Sequence, residues 1–247
     1  MPRTVLTLTG ADRTEFLQGL VTNDVAGDAP IVYTALLTPQ GKYIADFFVV
    51  PQGDAMLIDV ATDLAAPLAQ RLSMYRLRAD VQIAEADLVV SRGTGPAPDD
   101  ALPDPRDPAM GWRRYGDTDV SDDTDWDALR VAHLIPETGV ELTPETYILE
   151  VGFERLGGVD FRKGCYVGQE VTARMKHKTE LKKGLATVSV TDAPGGIPAG
   201  IGTAITAGER PVGTLLTRAG DRAIAWLRFD RAVGEMQAGD ATVVRRD

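Results

Sequence analysis

The sequence predicts an α+β fold followed by a small antiparallel β-domain. Over residues 1–90, strand-like runs are interspersed with two helical patterns, and residues 38–41 have the composition of a hairpin turn between two strands. From Leu185 onward, short β-rich runs alternate with Gly and Pro turns, as in a small barrel or sandwich. We therefore place one region at 1–183 and a second domain at 184–247.

The elements of the first region follow from hydrophobic periodicity. We predict strands over 4–9, 31–37, 43–50, 56–60 and 76–83. One helix is predicted after Asp12, and an amphipathic helix over 63–74. Because Asp12 and Glu15 are three residues apart, they have the spacing of a capping box at the start of the first helix.

The middle of the chain is predicted to be largely irregular. Residues 91–111 are rich in Pro, Gly and Asp, which indicates an exposed linker or long loop within a loop-rich insertion at about 91–125. A short helix is predicted over 126–132, and another begins at Gln169.

Composition and charge exclude several classes of protein. The 247 residues are 44% apolar and 25% charged, as in ordinary globular proteins, and no apolar run is long enough to span a membrane. The net charge of −10 makes nonspecific binding of nucleic acid unfavourable. A single cysteine excludes an internal disulfide and fits a reducing compartment, and the N-terminus has no signal-like apolar run. We therefore expect a cytoplasmic protein that does not associate with membranes.

The charge is distributed unevenly along the chain. Aspartates predominate over 99–127, whereas basic residues predominate over 161–184. The basic segment is either a solvated face or a region that attracts an anionic ligand, and the second interpretation accounts better for its location around the only cysteine. Two histidines and one cysteine are too few for a metal site supplied by this chain alone, so none is predicted.

That cysteine, Cys165, lies in the segment Lys-Gly-Cys-Tyr-Val-Gly-Gln-Glu, residues 163–170. Arg162 and Lys163 precede it, and a helix is predicted shortly after it, so neighbouring positive charge favours the thiolate. We consider Cys165 a candidate reactive thiol, with Lys163 and Arg174 as accompanying catalytic candidates. The alternative is a small buried apolar residue in a glycine-rich loop.

This segment, followed by Arg174, resembles the signature of the YgfZ family, which comprises folate-binding relatives of the glycine-cleavage aminomethyltransferase and includes mitochondrial proteins that help to mature 4Fe–4S enzymes. Residues 10–25, 36–50 and 75–83 resemble further segments of that family. The resemblance implies an aminomethyltransferase-like region with a C-terminal antiparallel β-barrel. It also implies tetrahydrofolate as the cofactor, and iron–sulfur assembly proteins or client enzymes as partners.

The resemblance also implies folate contacts. One edge of a pterin presents two parallel donors, which suit a single carboxylate. Glu150, in Leu-Glu-Val-Gly-Phe, falls where the Leu-Glu-Ala-Gly glutamate of the aminomethyltransferase binds the pterin, although without the resemblance a solvent-facing strand residue is the simpler interpretation. Asp46 matches the second aspartate of that enzyme's Gly-Gly-Ile-Ile-Asp-Asp. The other candidate cofactor contacts are Tyr33, Gln169 and Glu170.

Three differences from the aminomethyltransferase place its chemistry in doubt. Ala45 stands in place of the first aspartate, residues 59–61 read Asp-Val-Ala where the enzyme has Val-Asn-Ala, and the enzyme's sizeable N-terminal stretch has no counterpart here. Folate binding is compatible with these changes, but aminomethyl transfer is not expected, so enzymatic activity is left open.

Our first interpretation is a tetrahydrofolate-binding accessory factor for the assembly or repair of 4Fe–4S enzymes that uses the Cys165 loop. Because one cysteine cannot hold a cluster, any ligation would be shared with a partner or a second copy. The alternatives are a folate-dependent transferase of aminomethyl or other one-carbon groups, and a non-catalytic binding scaffold.

Overall fold

The chain divides into two compact units in a computed structural model, which describes residues 1–177 and 181–246. The first unit comprises Met1–Thr124 and Phe153–Met175, and the second comprises Asp125–Gly152 and Lys176–Asp247. The sequence predicts a single boundary near residue 183, so the two divisions do not coincide, because residues 125–152 join the second unit.

An antiparallel sheet forms the centre of the first unit, in the order β2-β3-β4-β1-β5. Its strands are β1 (Arg3–Thr9), β2 (Val32–Leu37), β3 (Tyr43–Gln52), β4 (Ala55–Ala61) and β5 (Gln82–Glu85). The helices are α1 (Arg13–Gln18) and α2 (Thr62–Arg76), and α2 buries three side chains at helical spacing, Ala65, Leu68 and Leu72, in the same apolar core as the sheet. The predicted hairpin turn is confirmed, because the N–H of Gly41 donates to the carbonyl of Thr38.

Two local predictions in this unit are wrong. The strand expected from residue 76 begins only at Gln82, because α2 continues to Arg76 and the chain turns at Leu77, which has a φ of 46°. The capping box of Asp12 and Glu15 does not form, since the Asp12 carboxylate accepts the backbone N–H of Asp80 at 2.7 Å instead. That contact ties the start of α1 to the segment before β5.

The predicted linker at 91–111 is also wrong. Strands β6 (Val89–Gly93), β7 (Leu102–Pro103) and β8 (Trp112–Gly116) form a three-stranded sheet in the order β6-β8-β7. The glycines allow close packing: Gly111 has a φ of 64°, and a Cβ there would collide with the carbonyl of Gly93. The Pro, Gly and Asp residues therefore make the tight turns of a folded subdomain.

A closed six-stranded barrel forms most of the second unit, in the order β10-β11-β12-β9-β14-β13, with every pair antiparallel. This confirms the predicted C-terminal β-domain. Its strands are β9 (Lys183–Thr191), β10 (Ala204–Ala207), β11 (Arg210–Ala219), β12 (Arg222–Arg228), β13 (Glu235–Ala238) and β14 (Ala241–Arg245).

The segment 125–152 packs on this barrel. Its helix α3 (Trp126–His133) contacts β11 and β12, and a 3-10 helix (Ile148–Val151) contacts β9. A buried ion pair joins these parts: Arg130 donates to Glu141 at 3.1 Å and to Thr217 of β11 at 3.1 Å. The last helix, α4 (Gln169–His177), begins at the predicted residue.

Candidate functional site

The thiol of Cys165 is exposed, which excludes the interpretation of a packed apolar residue. Helix α4 begins four residues later, at Gln169. Between them Tyr166 is buried, so the loop is anchored by the tyrosine and leaves the cysteine accessible. The amide of Gln169 donates to the carbonyl of Gly164 at 3.4 Å and closes the loop on the other side of the thiol.

Lys163 fixes this loop within the first unit. Its ammonium group donates to the backbone carbonyls of Gln18, Val21 and Asn23. Partial burial lowers the pKa of Lys163 to about 8, against the opposing charges of Asp24 and Asp160. The sequence suggests a cation that assists the thiol, whereas these three hydrogen bonds of Lys163 are directed at the backbone.

Close glycine packing positions the start of α4. Gly168 has a φ of 84°, and a Cβ there would lie 2.7 Å from the carbonyl oxygen of Thr38. A Cβ on Gly41 would likewise lie 2.8 Å from Cβ of Val171. The hairpin turn between β2 and β3 therefore packs directly on the signature segment, which explains the need for glycine on both sides.

Two other predicted residues lie on the exposed face of α4. The carboxylate of Glu170 is 3.6 Å from the guanidinium of Arg174, and both side chains are largely exposed. An exposed pair of this spacing contributes little to stability.

An open groove of about 410 Å³ is lined mainly by residues that precede Cys165 in the sequence. The lining residues are Asn23, Glu154, Gly157, Val159, Asp160, Phe161 and Arg162.

The predicted pair Tyr33 and Asp46 is brought together within the sheet of the first unit. The Asp46 carboxylate accepts the hydroxyl of Tyr33 at 3.0 Å and that of Tyr43 at 2.7 Å, one on each oxygen, and all three residues are buried. Burial, followed by the charge of Asp46, raises the pKa of Tyr33 well above its ordinary value. The tyrosine therefore remains a protonated donor that fixes the carboxylate.

Sequence analysis missed a buried network of charges beside this pair. Asp59 accepts from Arg3 at 2.6 Å and from Arg113 at 2.5 Å, and Asp104 accepts from Arg106 at 2.8 Å and from Arg113 at 3.3 Å. Burial alone raises the pKa of Asp59, but the charges of Arg113 and Arg3 outweigh it and lower the pKa below its ordinary value.

The network reaches Tyr33 through stacked rings. The guanidinium of Arg106 lies 5.5 Å from the Tyr33 ring centroid and 4.9 Å from that of Phe48, and Arg113 lies 3.9 Å from the Phe48 centroid. Three of its members, Asp104, Arg106 and Arg113, come from the predicted loop-rich insertion at about 91–125. The apolar residues interspersed there, such as Met110 and Trp112, were the available signal that this segment is folded.

Glu150 lies in the second unit, in the 3-10 helix and not in a strand as expected. Its side chain is 9% exposed, and its Oε1 lies 3.3 Å from Nζ of Lys183, whose side chain is 44% exposed. Nζ of Lys183 also lies 5.2 Å from the ring centroid of Trp226. The predicted contacts Asp46 and Glu150 thus belong to different units, and each carboxylate contacts side chains of its own unit.

Gly184 fixes the position of Glu150 on the barrel. A Cβ at Gly184 would lie 2.5 Å from the carbonyl oxygen of Glu150, so the 3-10 helix packs directly on the backbone of β9. This close approach sets Glu150 beside Lys183, the residue before Gly184. The sequence alone gave no reason to connect these three residues.

Within residues 1–177 and 181–246, no group of three or more His, Cys, Asp or Glu side chains has the arrangement of a metal site. No helix in this described part of the chain is long and apolar enough to cross a membrane.

Comparison with known proteins gives findings of three kinds, namely a family match, similar sequences and a similar fold. Residues 182–246 match the family described as the CAF17 C-terminal beta-barrel domain. The chain is 29% identical over 221 residues to an iron-sulfur cluster assembly factor IBA57 homolog, mitochondrial, of Neurospora crassa, covering 73% of this chain and 50% of that protein. It is 27% identical to the mitochondrial iron-sulfur cluster assembly factor IBA57 of Homo sapiens, covering 98% of this chain and 74% of that protein.

The third kind of finding concerns the fold. The crystal structure of aminomethyltransferase T of the glycine cleavage system from Bartonella henselae matches with a TM-score of 0.75 at 11% identity, over 99% of this chain and 83% of that chain. The expected fold is confirmed: an aminomethyltransferase-like architecture with a closed antiparallel barrel at its C-terminal end.

One sequence-based prediction is contradicted. These relatives are named as mitochondrial proteins, which conflicts with a purely cytoplasmic assignment. A lone cysteine and an ordinary composition could not separate two reducing compartments. The chain spans about half the length of the Neurospora relative. It is similar in sequence to IBA57 iron–sulfur cluster assembly factors and has the fold of the glycine-cleavage aminomethyltransferase.

Proposed function

We propose that this protein is a tetrahydrofolate-binding accessory factor, of the YgfZ type, for the assembly or repair of 4Fe–4S enzymes. The observation that carries the proposal is the similarity to an iron–sulfur cluster assembly factor over 98% of the chain. Since that similarity extends through both units, it is not limited to the barrel.

The environment of Glu150 supports folate binding. Its carboxylate is 9% exposed and paired with the ammonium group of Lys183, and its neighbours Ile148, Leu149 and Val151 are all buried, so the group is held in place in an apolar turn. The pterin edge supplies two parallel donors for such a carboxylate. Asp46, oriented by two tyrosines, is the second folate contact that the resemblance suggests, and it is tested by its own variant, Asp46→Asn.

The exposure of Cys165 supports its role as the functional thiol. An accessible thiolate is a ligand for iron and a nucleophile towards sulfur species. One thiol cannot hold a cluster alone, so the proposal requires further ligands from a client enzyme, an assembly protein or a second copy of this chain.

A folate-dependent transferase is the second candidate, favoured by the aminomethyltransferase-like fold and by the retained Asp46. Two substituted positions oppose it. Ala45 and Val60 lie in the apolar core of the first unit, where they contribute packing and not polar chemistry. Release of methylene-tetrahydrofolate from an aminomethyl-lipoyl donor, at a rate near that of the true enzyme, would establish this alternative.

The proposal is tested by two measurements. Titration of the purified protein with tetrahydrofolate is expected to show saturable binding, and absence of binding would refute the folate assignment. In cells that lack the protein, the wild-type chain is expected to restore the activity of 4Fe–4S enzymes and Cys165→Ser is not. Full restoration by the serine variant would remove the thiol from the mechanism.

A further inference from the structure

Lys183 lies beside Glu150, the carboxylate that we propose as the pterin contact. Its Nζ is 3.3 Å from Oε1 of Glu150, and the close approach of the Glu150 carbonyl to Gly184 fixes the backbones of the two residues together. The lysine side chain is 44% exposed and that of Glu150 is 9% exposed, so the ammonium group can adjust while the carboxylate is held.

These two side chains present a defined hydrogen-bonding pattern. The carboxylate offers two acceptor oxygens, and the ammonium beside it offers donors only. A 2-amino-4-oxo pteridine presents the complementary row along one edge: an amino donor, a ring N–H donor and a carbonyl acceptor. The row is complementary at all three positions only if the lysine meets the carbonyl.

We propose that Lys183 is a specificity-determining residue that donates to the 4-oxo group of the pterin while Glu150 accepts from the two adjacent donors. This inference rests on the proposed folate function and deepens it by naming the chemical feature that is selected. A 4-amino pteridine places a donor against the ammonium group and also lacks the ring N–H that faces Glu150, so both contacts are lost and this ligand binds more weakly.

The location of Trp226 provides an independent readout. Its ring centroid is 5.2 Å from Nζ of Lys183, so a pterin held by Lys183 lies within range to quench the fluorescence of this indole. Trp226→Phe removes that signal and assigns it, because the other tryptophans, Trp112 and Trp126, are retained.

The experiment compares tetrahydrofolate with its 4-amino counterpart, in which the 4-oxo acceptor is replaced by an amino donor and the adjacent ring nitrogen carries no proton. Affinities are measured by calorimetry for the wild type, Lys183→Met and the control Lys182→Met, which removes the same charge from the adjacent exposed residue. We expect the wild type to favour the 4-oxo ligand by about tenfold or more, and Lys183→Met to lose the part of this preference that the lysine contact supplies, while the part due to Glu150 remains. Lys182→Met is expected to retain it.

The outcomes separate this inference from the proposed function. Equal weakening of both ligands by Lys183→Met would show a general electrostatic effect and overturn the inference, as would an unchanged or tighter affinity for the 4-oxo ligand. In either case, the folate proposal remains intact if the wild type binds tetrahydrofolate and Glu150→Gln binds it more weakly. If the wild type binds neither ligand, the proposed function fails and the inference fails with it. Thermal unfolding of each variant verifies that the protein is folded.

Discussion

The two units hold buried carboxylates in different ways. In the first unit, Asp59 is fixed by Arg113, whose side chain is 2% exposed, and by Arg3 and Tyr115. In the second unit, Glu150 is paired with Lys183, which is 44% exposed. If a buried partner moves away, it leaves an uncompensated charge in the interior, whereas a half-exposed lysine can move to solvent or to a ligand. The comparison indicates a stabilising role for the Asp59 network and agrees with the binding role that we propose for Glu150.

The largest effect is expected from Arg113→Met. This change leaves both Asp59 and Asp104 short of a buried partner, and breaking such a pair costs about 3–5 kcal/mol of unfolding free energy. Denaturant unfolding measures the loss. Arg114→Met is the matched control, because its partner Asp100 is exposed, and it is expected to cost less than about 1 kcal/mol. Equal losses from the two variants would contradict the assignment of the network to stability.

An intermediate effect is expected from Lys163→Met. Its ammonium group donates to three backbone carbonyls, and loss of charged hydrogen bonds in a half-buried site should lower the free energy of unfolding by about 1–3 kcal/mol. The control is Arg162→Met at the preceding residue, whose side chain is 92% exposed and which is expected to change stability little. A larger loss for Arg162→Met than for Lys163→Met would remove Lys163 as the anchor of the loop.

The pH dependence of Lys163 gives a second check. Its pKa is about 8 in the folded chain and near its ordinary value of 10.5 when unfolded. Between these values the unfolded state binds more protons, so this group makes stability rise as pH increases from about 8 towards 10.5. The rise is modest because the side chain is half-exposed. Unfolding of the wild type and of Lys163→Met at a series of pH values is expected to show this component in the wild type alone.

The smallest effect on stability is expected from Cys165→Ser. Because the thiol is exposed, this change should alter the free energy of unfolding by less than about 0.5 kcal/mol. The wild-type thiol should react with an alkylating reagent in the folded protein, without prior unfolding. A loss of 2 kcal/mol or more, or a thiol that reacts only after denaturation, would identify Cys165 as a packed residue.

Much of the fold could be predicted because local patterns determine it. Helix α2 buries residues at helical spacing, most barrel strands alternate buried with more exposed positions, and β2, β3 and β4 are nearly continuous buried runs. Each of these patterns is visible in the sequence. The sheet of β6, β7 and β8 was missed because Pro, Gly and Asp are equally typical of linkers and of tight turns in a folded subdomain. The pairing of Asp59 with Arg113, 54 residues apart, leaves no local signal at all.

The residues of the candidate site likewise differ in how far the sequence could predict them. Cys165 stands out from the sequence because it is the only cysteine in a basic segment, and Glu150 was identified through the family resemblance and not by periodicity. Lys183 was identified only from the structure, because its relation to Glu150 depends on the close approach of a turn to Gly184. Contacts of this kind depend on the tertiary packing of elements that are distant in sequence.

The proposed function depends on Glu150 as the carboxylate that binds the pterin of tetrahydrofolate. This claim is tested by calorimetric titration of the wild type, of Glu150→Gln and of a control, Glu209→Gln, which makes the same change at an exposed residue of the second unit. Glutamine keeps the shape but sets a donor against a donor, so we predict a loss of about 1–3 kcal/mol in binding for Glu150→Gln and none for Glu209→Gln. Equal affinity of all three proteins for tetrahydrofolate would contradict the claim.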